Sequence, residues 1–148
     1  MGAIQMTDLL AKTRDFHRSL AGYYDQLGHE VHRSEVRQVV DFIGRHERHL
    51  ERCLGEYGLT MPDSVRNAWF RAVPELHVRQ LIEEALANPD MSVEEVTDLA
   101  VRFDDCLVKL YRHLAEECPP GNLKEALEGM LTFEAEEEKQ FLWDLRQD

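Results

Sequence analysis

Three observations predict an all-α protein. Apolar residues recur at helical period in four long segments of the chain. Signals that start and stop helices flank these segments, and no segment shows the alternation that is typical of a β-strand. The stretch between the second and third segments is too long for a simple turn. We therefore predict one domain over residues 1–148, with four long helices and a long crossover in its middle.

The first two predicted helices form an antiparallel pair. The first has its apolar stripe between Leu9 and Leu27, and Gly28 is placed to end it. After a short turn, Ser34 is a suitable N-cap for the second helix, which is expected to end near Gly55 and Gly58. The link between the two helices is short, so the second must run back along the first.

The crossover occupies residues 58–91 and contains three prolines. We predict a short helix around residues 75–87 within it, preceded by the apolar anchors Trp69 and Phe70. Both aromatic residues are expected to pack against the long helices as the crossover passes along them.

The last two predicted helices have clearer boundaries. Ser92 and Glu95 form an S-x-x-E capping box at the start of the third helix. The sequence CPPGN at 118–122 ends that helix, and Asn122 with Glu125 indicates a second cap. The apolar stripe of the fourth helix then runs from Leu127 to Leu145.

Six possible metal ligands interrupt the four apolar stripes. The first half of the chain supplies imidazoles and the second half supplies carboxylates: His17, His46, His49, Asp104, Glu134 and Glu137. An unpaired carboxylate in a protein core costs several kcal/mol or becomes protonated. Neutral imidazole and ionised carboxylate suit divalent iron, manganese or zinc, whose charge would compensate the acids. These residues are therefore candidate metal ligands.

The two halves of the chain share a spacing. His17 precedes Tyr24 as Asp104 precedes Tyr111, and each of these helices is followed by one that carries a ligand pair. Neighbouring acids compete for the same roles, and the alternative ligands are Glu47, Asp105 and Glu138. A metal-free polar network in the core remains open as the alternative to a metal site.

The order of two antiparallel helices, a long crossover and two more antiparallel helices resembles the ferritin-like superfamily, which includes rubrerythrin and bacterioferritin. That resemblance covers nearly the whole chain and implies an up-down four-helix bundle. In the family, the first and third helices each supply a Glu, and the second and fourth each supply a Glu-x-x-His pair, which together hold two metal ions. In this chain the resemblance assigns His17 to the Glu position of the first helix and Asp104 to that of the third. His46 and His49 take the positions of the pair on the second helix, and Glu134 and Glu137 take those of the pair on the fourth.

Only His49 and Glu134 match the residue types of the family, and Asp104 is a shorter version of its counterpart. Because one imidazole nitrogen binds one ion, His46 cannot bridge two metals as a carboxylate does. The resemblance thus implies a metal-binding protein with one or two ions, iron foremost and zinc or manganese as alternatives. A di-iron oxidoreductase of unassigned substrate is one form of this function. The alternative is a metal-free bundle that acts as a protein-interaction module, and the sequence does not decide whether the chain is an enzyme.

Composition limits the partners of this chain. Its formal net charge is −12, and the whole acidic excess lies in residues 75–148, so we expect neither nucleic acid nor a membrane as a partner. Three cysteines without CxxC spacing, and no apolar segment for export or anchoring, indicate a cytoplasmic protein. A homodimer through the faces of the bundle is a reasonable assembly.

Overall fold

The structure is a computed structural model that describes residues 3–76, 79–88 and 90–147. It is mostly helical, which confirms the prediction of an all-α protein. The elements follow in the order β1 (Ile4–Gln5), α1 (Met6–Glu30), α2 (Ser34–Thr60), α3 (Asp63–Arg66), β2 (Trp69–Phe70), α4 (Arg79–Leu86), α5 (Val93–Glu117) and α6 (Asn122–Arg146). Four long helices and a crossover with a short helix are thus present, as the sequence predicts.

The glycines that were expected to end the first two helices lie inside them. Helix α1 continues through Gly28 to Glu30, and α2 continues through Gly55 and Gly58 to Thr60. Each of these glycines is a place where α1 and α2 approach closely. A Cβ atom at Gly58 would lie 3.1 Å from a methyl carbon of Leu10, and one at Gly28 would lie 3.3 Å from a carboxylate oxygen of Asp41. The glycines therefore serve helix packing instead of helix termination.

The predicted caps are confirmed at one helix and shifted by one residue at two others. At α5, the backbone nitrogen of Glu95 donates to Ser92 Oγ at 3.1 Å, and that of Ser92 donates to Glu95 Oε1 at 3.3 Å. Ser34 and Asn122, by contrast, are the first helical residues of α2 and α6, whose N-caps are Arg33 and Gly121. Shifts of one residue at helix ends are common.

The crossover contains a short strand that the sequence did not predict. Strand β2 pairs antiparallel with β1, with Ile4 opposite Phe70 and Gln5 opposite Trp69. Successive residues of a strand face opposite sides. Phe70 is accordingly buried, whereas Trp69 is 64% exposed, so the expectation that both aromatic residues are buried was wrong for Trp69. The predicted short helix is α4, although residues 77, 78 and 89 of the crossover lie outside the described part of the chain.

One continuous hydrophobic cluster includes residues of all four long helices. Within it, α1 packs along α2, α5 packs along α6, and α2 also contacts α5. The buried polar residues are few: Thr13, His17, Glu47, Asp104 and Glu134. Four of them carry ionisable side chains and come from four different helices. In the described residues, no helix is both long enough and apolar enough to cross a membrane.

Candidate functional site

Each long helix contributes one ionisable side chain to the middle of the core. We call the four side chains the central cluster: His17 from α1, Glu47 from α2, Asp104 from α5 and Glu134 from α6. None of them is more than 4% exposed. Each occupies a position where the apolar spacing of its helix would place a core residue, so helical geometry directs all four side chains inward. Burial of this kind is costly unless the groups compensate one another or bind a cation.

His17 links two helices through both of its ring nitrogens. Its Nδ1 lies 2.5 Å from Glu47 Oε2, and its Nε2 lies 3.0 Å from Glu134 Oε1. A neutral imidazole has one N–H and one lone pair, so two carboxylate acceptors are satisfied together only by a doubly protonated ring. With both acids ionised, the arrangement is a buried imidazolium between two carboxylates.

The electrostatics of His17 and Glu47 agree with a proton held in this pair. Burial by itself lowers the pKa of His17, but the hydrogen bonds and charges of Glu134 and Glu47 outweigh it and raise this pKa to about 10. Burial also raises the pKa of Glu47, which the hydrogen bond and charge of His17 offset only in part. The raised pKa values of His17 and Glu47 both favour retention of the proton that the two side chains share at neutral pH.

The acids of α5 and α6 have oxygen atoms without partners. Asp104 Oδ1 and Glu134 Oε2 are buried and make no hydrogen bond to the described residues. Burial, together with the negative charges of Glu47 and Glu134, raises the pKa of Asp104 well above its usual range. The hydroxyls of Tyr24 and Tyr111 lie buried nearby and also lack partners among the described residues. Burial, and then the negative charge of Glu47, raises the pKa of Tyr24 well above its usual range, and burial followed by the charge of Glu134 does the same for Tyr111.

His46, a predicted ligand, lies beside the central cluster instead of within it. Its ring packs against the ring of Phe141 at a centroid distance of 4.8 Å, and its buried Nε2 has no partner among the described residues. Burial, followed by the positive charges of His17 and His49, lowers the pKa of His46 to about 4. His46 is therefore a neutral imidazole at neutral pH.

His49 and Glu137, also predicted ligands, form a pair nearer the surface. His49 Nε2 lies 3.4 Å from Glu137 Oε2, and the two side chains are 46% and 27% exposed. The thiol of Cys53 is 3.6 Å from His49 Nε2. In the described structure this pair is therefore separate from the buried cluster, whereas the predicted positions His17, Asp104 and Glu134 lie inside it.

Glu47 is the member of the central cluster that the sequence offered only as a substitute ligand. Two signals could have found it. Apart from Gly44, the buried residues of α2 follow alternating steps of four and three, at Val36, Val40, Ile43, Glu47, Leu50 and Leu54. In addition, adding 87 to residue numbers 17, 24 and 47 gives 104, 111 and 134, so that His17, Tyr24 and Glu47 have counterparts in Asp104, Tyr111 and Glu134. The internal repeat thus pairs Glu134 with Glu47, one residue away from His46.

The residue types of the central cluster suit a metal ion, but the positions of their side chains do not form a complete metal site. One imidazole and three carboxylates form a donor set that iron and manganese accept, and two buried carboxylate oxygens are free of hydrogen bonds. However, among residues 3–76, 79–88 and 90–147, no three His, Cys, Asp or Glu side chains are placed so that they could hold a metal ion together. Binding would therefore require side chains of the cluster to rotate.

No known protein family, curated protein or solved structure matches this chain.

Proposed function

We propose that the protein is a ferritin-like four-helix bundle that binds a divalent transition metal, iron foremost, at the central cluster. The observation that supports this proposal most directly is the pair of buried carboxylate oxygens without partners, Asp104 Oδ1 and Glu134 Oε2. A buried acid left without a partner costs on the order of 1–3 kcal/mol, and more when it is charged. A cation between the helices would compensate both acids at once.

The composition of the cluster agrees with that role. Glu47, Asp104 and Glu134 would hold the ion through oxygen, and His17 supplies either a nitrogen ligand or a hydrogen bond that orients the two glutamates. Bound iron would supply Lewis-acid and one-electron chemistry at this place. The protein excludes bulk water from it, since all four side chains are nearly inaccessible.

The arrangement of the cluster supports the ferritin-like part of the proposal. One ionisable side chain comes from each of four long helices, and the repeat over 87 positions relates the first helix pair to the second. The family builds its metal site in the same manner, from facing helices of a bundle.

Metal analysis tests the proposal. Protein purified without chelators is analysed for iron, manganese and zinc, and is then titrated anaerobically with Fe(II), Mn(II) and Zn(II). We expect stoichiometric uptake that falls at least tenfold in Asp104→Asn and Glu134→Gln, because each variant removes a buried anionic ligand. Glu137→Gln is the matched control: this acid lies on the same helix as Glu134 but is partly exposed, and its loss should leave uptake unchanged.

Two results would count against this proposal in different ways. A protein that contains no transition metal and takes up none of the three ions does not have this function. Uptake that is lost in His46→Ala and Glu137→Gln as well as in Asp104→Asn would instead favour the ligand set that the sequence first indicated.

A second candidate function is supported by the use of both nitrogens of His17. In it, the imidazolium takes the place of a metal cation between Glu47 and Glu134, and the protein is a metal-free bundle that acts through partner proteins. The acidic second half of the chain would form the contact surface. This candidate predicts that chelators leave the stability of the purified protein unchanged and that partners are retained by variants at His17.

A further inference from the structure

A cavity of about 560 Å³ lies between the crossover and the end of α5. We call it the crossover cavity and define it by Trp69, Arg71, Leu114 and Glu117, four of the residues that line it. Leu114 is ten positions after Asp104 on α5, which is about 15 Å along the helix axis. The volume falls within the range of about 300–1,000 Å³ that is typical of ligand pockets. The crossover cavity is therefore a candidate binding site apart from the central cluster.

Buried and exposed apolar side chains meet in this cavity. Phe70 from β2 and Leu114 from α5 line it and are 6% and 2% exposed. Trp69 also lines it but is 64% exposed, because successive residues of a strand face opposite sides. An aromatic ligand that packs against Trp69 would remove apolar surface from water and gain a contact between rings. The lining thus favours a ligand with a planar apolar ring.

Opposite charges line the crossover cavity without forming an ion pair. Arg71 comes from the crossover and Glu117 from α5, and both are exposed. The arginines that form ion pairs among the described residues are Arg18, Arg48, Arg66 and Arg79. The guanidinium of Arg71 therefore has no carboxylate partner in the described part of the chain. Since a guanidinium can bind a carboxylate through two parallel hydrogen bonds, Arg71 is suited to a carboxylate that a ligand supplies.

The charges around the cavity favour a ligand with one negative charge over a phosphate dianion. Lys124 and Glu117 act electrostatically on Cys118, which lines the cavity, and their effects on it are opposite. Arg71 thus remains as the positive charge without a balancing acid, and Glu117 would repel a second negative charge on the ligand. His113 also lines the cavity and offers a ring nitrogen for a hydrogen bond.

We infer that the crossover cavity binds a small aromatic carboxylate, whose ring packs against Trp69 and whose anionic group pairs with Arg71. This inference goes beyond the proposed metal site and does not depend on it. Metal uptake by the central cluster and ligand binding at the crossover cavity can each fail without the other.

Three probes that share one bicyclic ring test the inference: 2-naphthoate is anionic, 2-naphthamide is neutral and 2-naphthylmethylammonium is cationic. Each probe is titrated into the full-length protein by isothermal titration calorimetry at neutral pH, with EDTA present so that no metal contributes. We expect 2-naphthoate to bind at least tenfold more tightly than 2-naphthamide, because only the carboxylate forms charge-assisted hydrogen bonds with a guanidinium. The cationic probe should bind least tightly.

Variants at the cavity locate the binding. Trp69→Ala should weaken the binding of 2-naphthoate and of 2-naphthamide by about three- to tenfold, because both probes lose the same ring contact. Arg71→Gln should weaken only 2-naphthoate, by about tenfold or more. Trp143→Ala and Arg112→Gln are the matched controls. Both side chains are exposed and neither lines the cavity, so the affinities should stay unchanged.

Several results would overturn the inference. They are failure to bind 2-naphthoate, equal affinities for the three probes, and a loss in Trp143→Ala as large as that in Trp69→Ala. A dimer that dissociates in Trp69→Ala, as measured by sedimentation velocity, would also overturn it, because a second copy of the chain would then cover the cavity. Circular dichroism checks that the variants fold, and the comparison of the three probes on the unmodified protein decides even where a variant does not.

Discussion

Replacing His17 with leucine tests the electrostatic role of the imidazolium in the metal-free protein. Leucine fills a similar space with apolar atoms, so the substitution removes two hydrogen bonds while leaving most of the volume occupied. Glu47 Oε2 and Glu134 Oε1 then lose their only donor in the described structure, at sites that are 1% exposed. The variant therefore isolates the cost of leaving two buried acids unpaired.

The size of the effect follows from the shift in the pKa of His17. A change from 6.5 to about 10 corresponds to about 5 kcal/mol of preferential stabilisation of the charged ring. Removing one partner of a buried ion pair costs about 3–5 kcal/mol. We therefore expect the free energy of unfolding to fall by about 3–5 kcal/mol at neutral pH, a large part of the ~5–15 kcal/mol of a typical domain.

The pH dependence of this loss has a definite sign. Because the pKa of His17 is higher in the folded protein, its contribution is fully present below the unfolded value of 6.5 and disappears as the pH rises through about 10. The difference in stability between the unmodified protein and His17→Leu should therefore be largest at and below pH 6.5 and shrink steadily towards pH 10.

Urea unfolding followed by circular dichroism measures this difference, with excess EDTA present so that no metal contributes. His46→Leu is the matched control, since it removes a neighbouring histidine whose buried Nε2 has no partner and whose pKa is lowered to about 4. It should cost little stability at neutral pH or add some. A loss below about 1 kcal/mol in His17→Leu, or one that stays constant from neutral pH to pH 10, would refute the imidazolium assignment.

Further expectations concern His46, one tight helix contact and one cap. As the pH falls from 6.5 towards about 4, His46 takes up a proton in the unfolded chain before it does so in the folded protein, which favours unfolding. In the same urea titrations, the free energy of unfolding of the unmodified protein should therefore fall over this pH range more than that of His46→Leu. Gly129→Ala places a Cβ 2.6 Å from Tyr57 Oη and should lower the free energy of unfolding by about 1–3 kcal/mol, as measured by thermal unfolding. The Cβ of Gly22→Ala meets no atom within 4 Å, so this variant should raise the free energy of unfolding by about 0.5–1 kcal/mol. Equal effects of the two alanines would contradict the packing around Gly129. Ser92→Ala removes the side-chain acceptor of the capping box and should lower stability by about 1 kcal/mol, while Ser92→Asp, which restores an acceptor, should recover most of it.

The number and order of the long helices could be predicted from sequence, whereas the short helix α3 was missed. Periodic apolar residues mark α1, α2, α5 and α6, and the capping box at Ser92 marks the start of α5 within one residue. The glycines at 28, 55 and 58 misled because the same residue type ends helices and permits close helix contacts. Only the position of the neighbouring helix distinguishes these two uses. The pairing of β1 with β2 was missed because two-residue strands are too short to show a period.

Three of the four members of the central cluster could be recognised from sequence alone. His17, Asp104 and Glu134 fall within apolar stripes, and all three are buried. On α2 the choice between His46 and Glu47 stayed open, because both lie between Ile43 and Leu50 at distances compatible with one helix face. The tertiary structure favours Glu47, which faces α1 and meets His17.

The sequence by itself determined the helical architecture, the acidic charge of the second half and the presence of ionisable residues in the core. Only the tertiary structure decided how those residues pair. His17 meets partners that are 30 and 117 positions away in the chain, and their identity depends on how each helix is rotated about its axis. Neighbouring residues on a helix differ by about 100° in direction, so a shift of one position separates a buried acid from a histidine at its edge. Helix packing fixes that rotation, and local spacing alone does not.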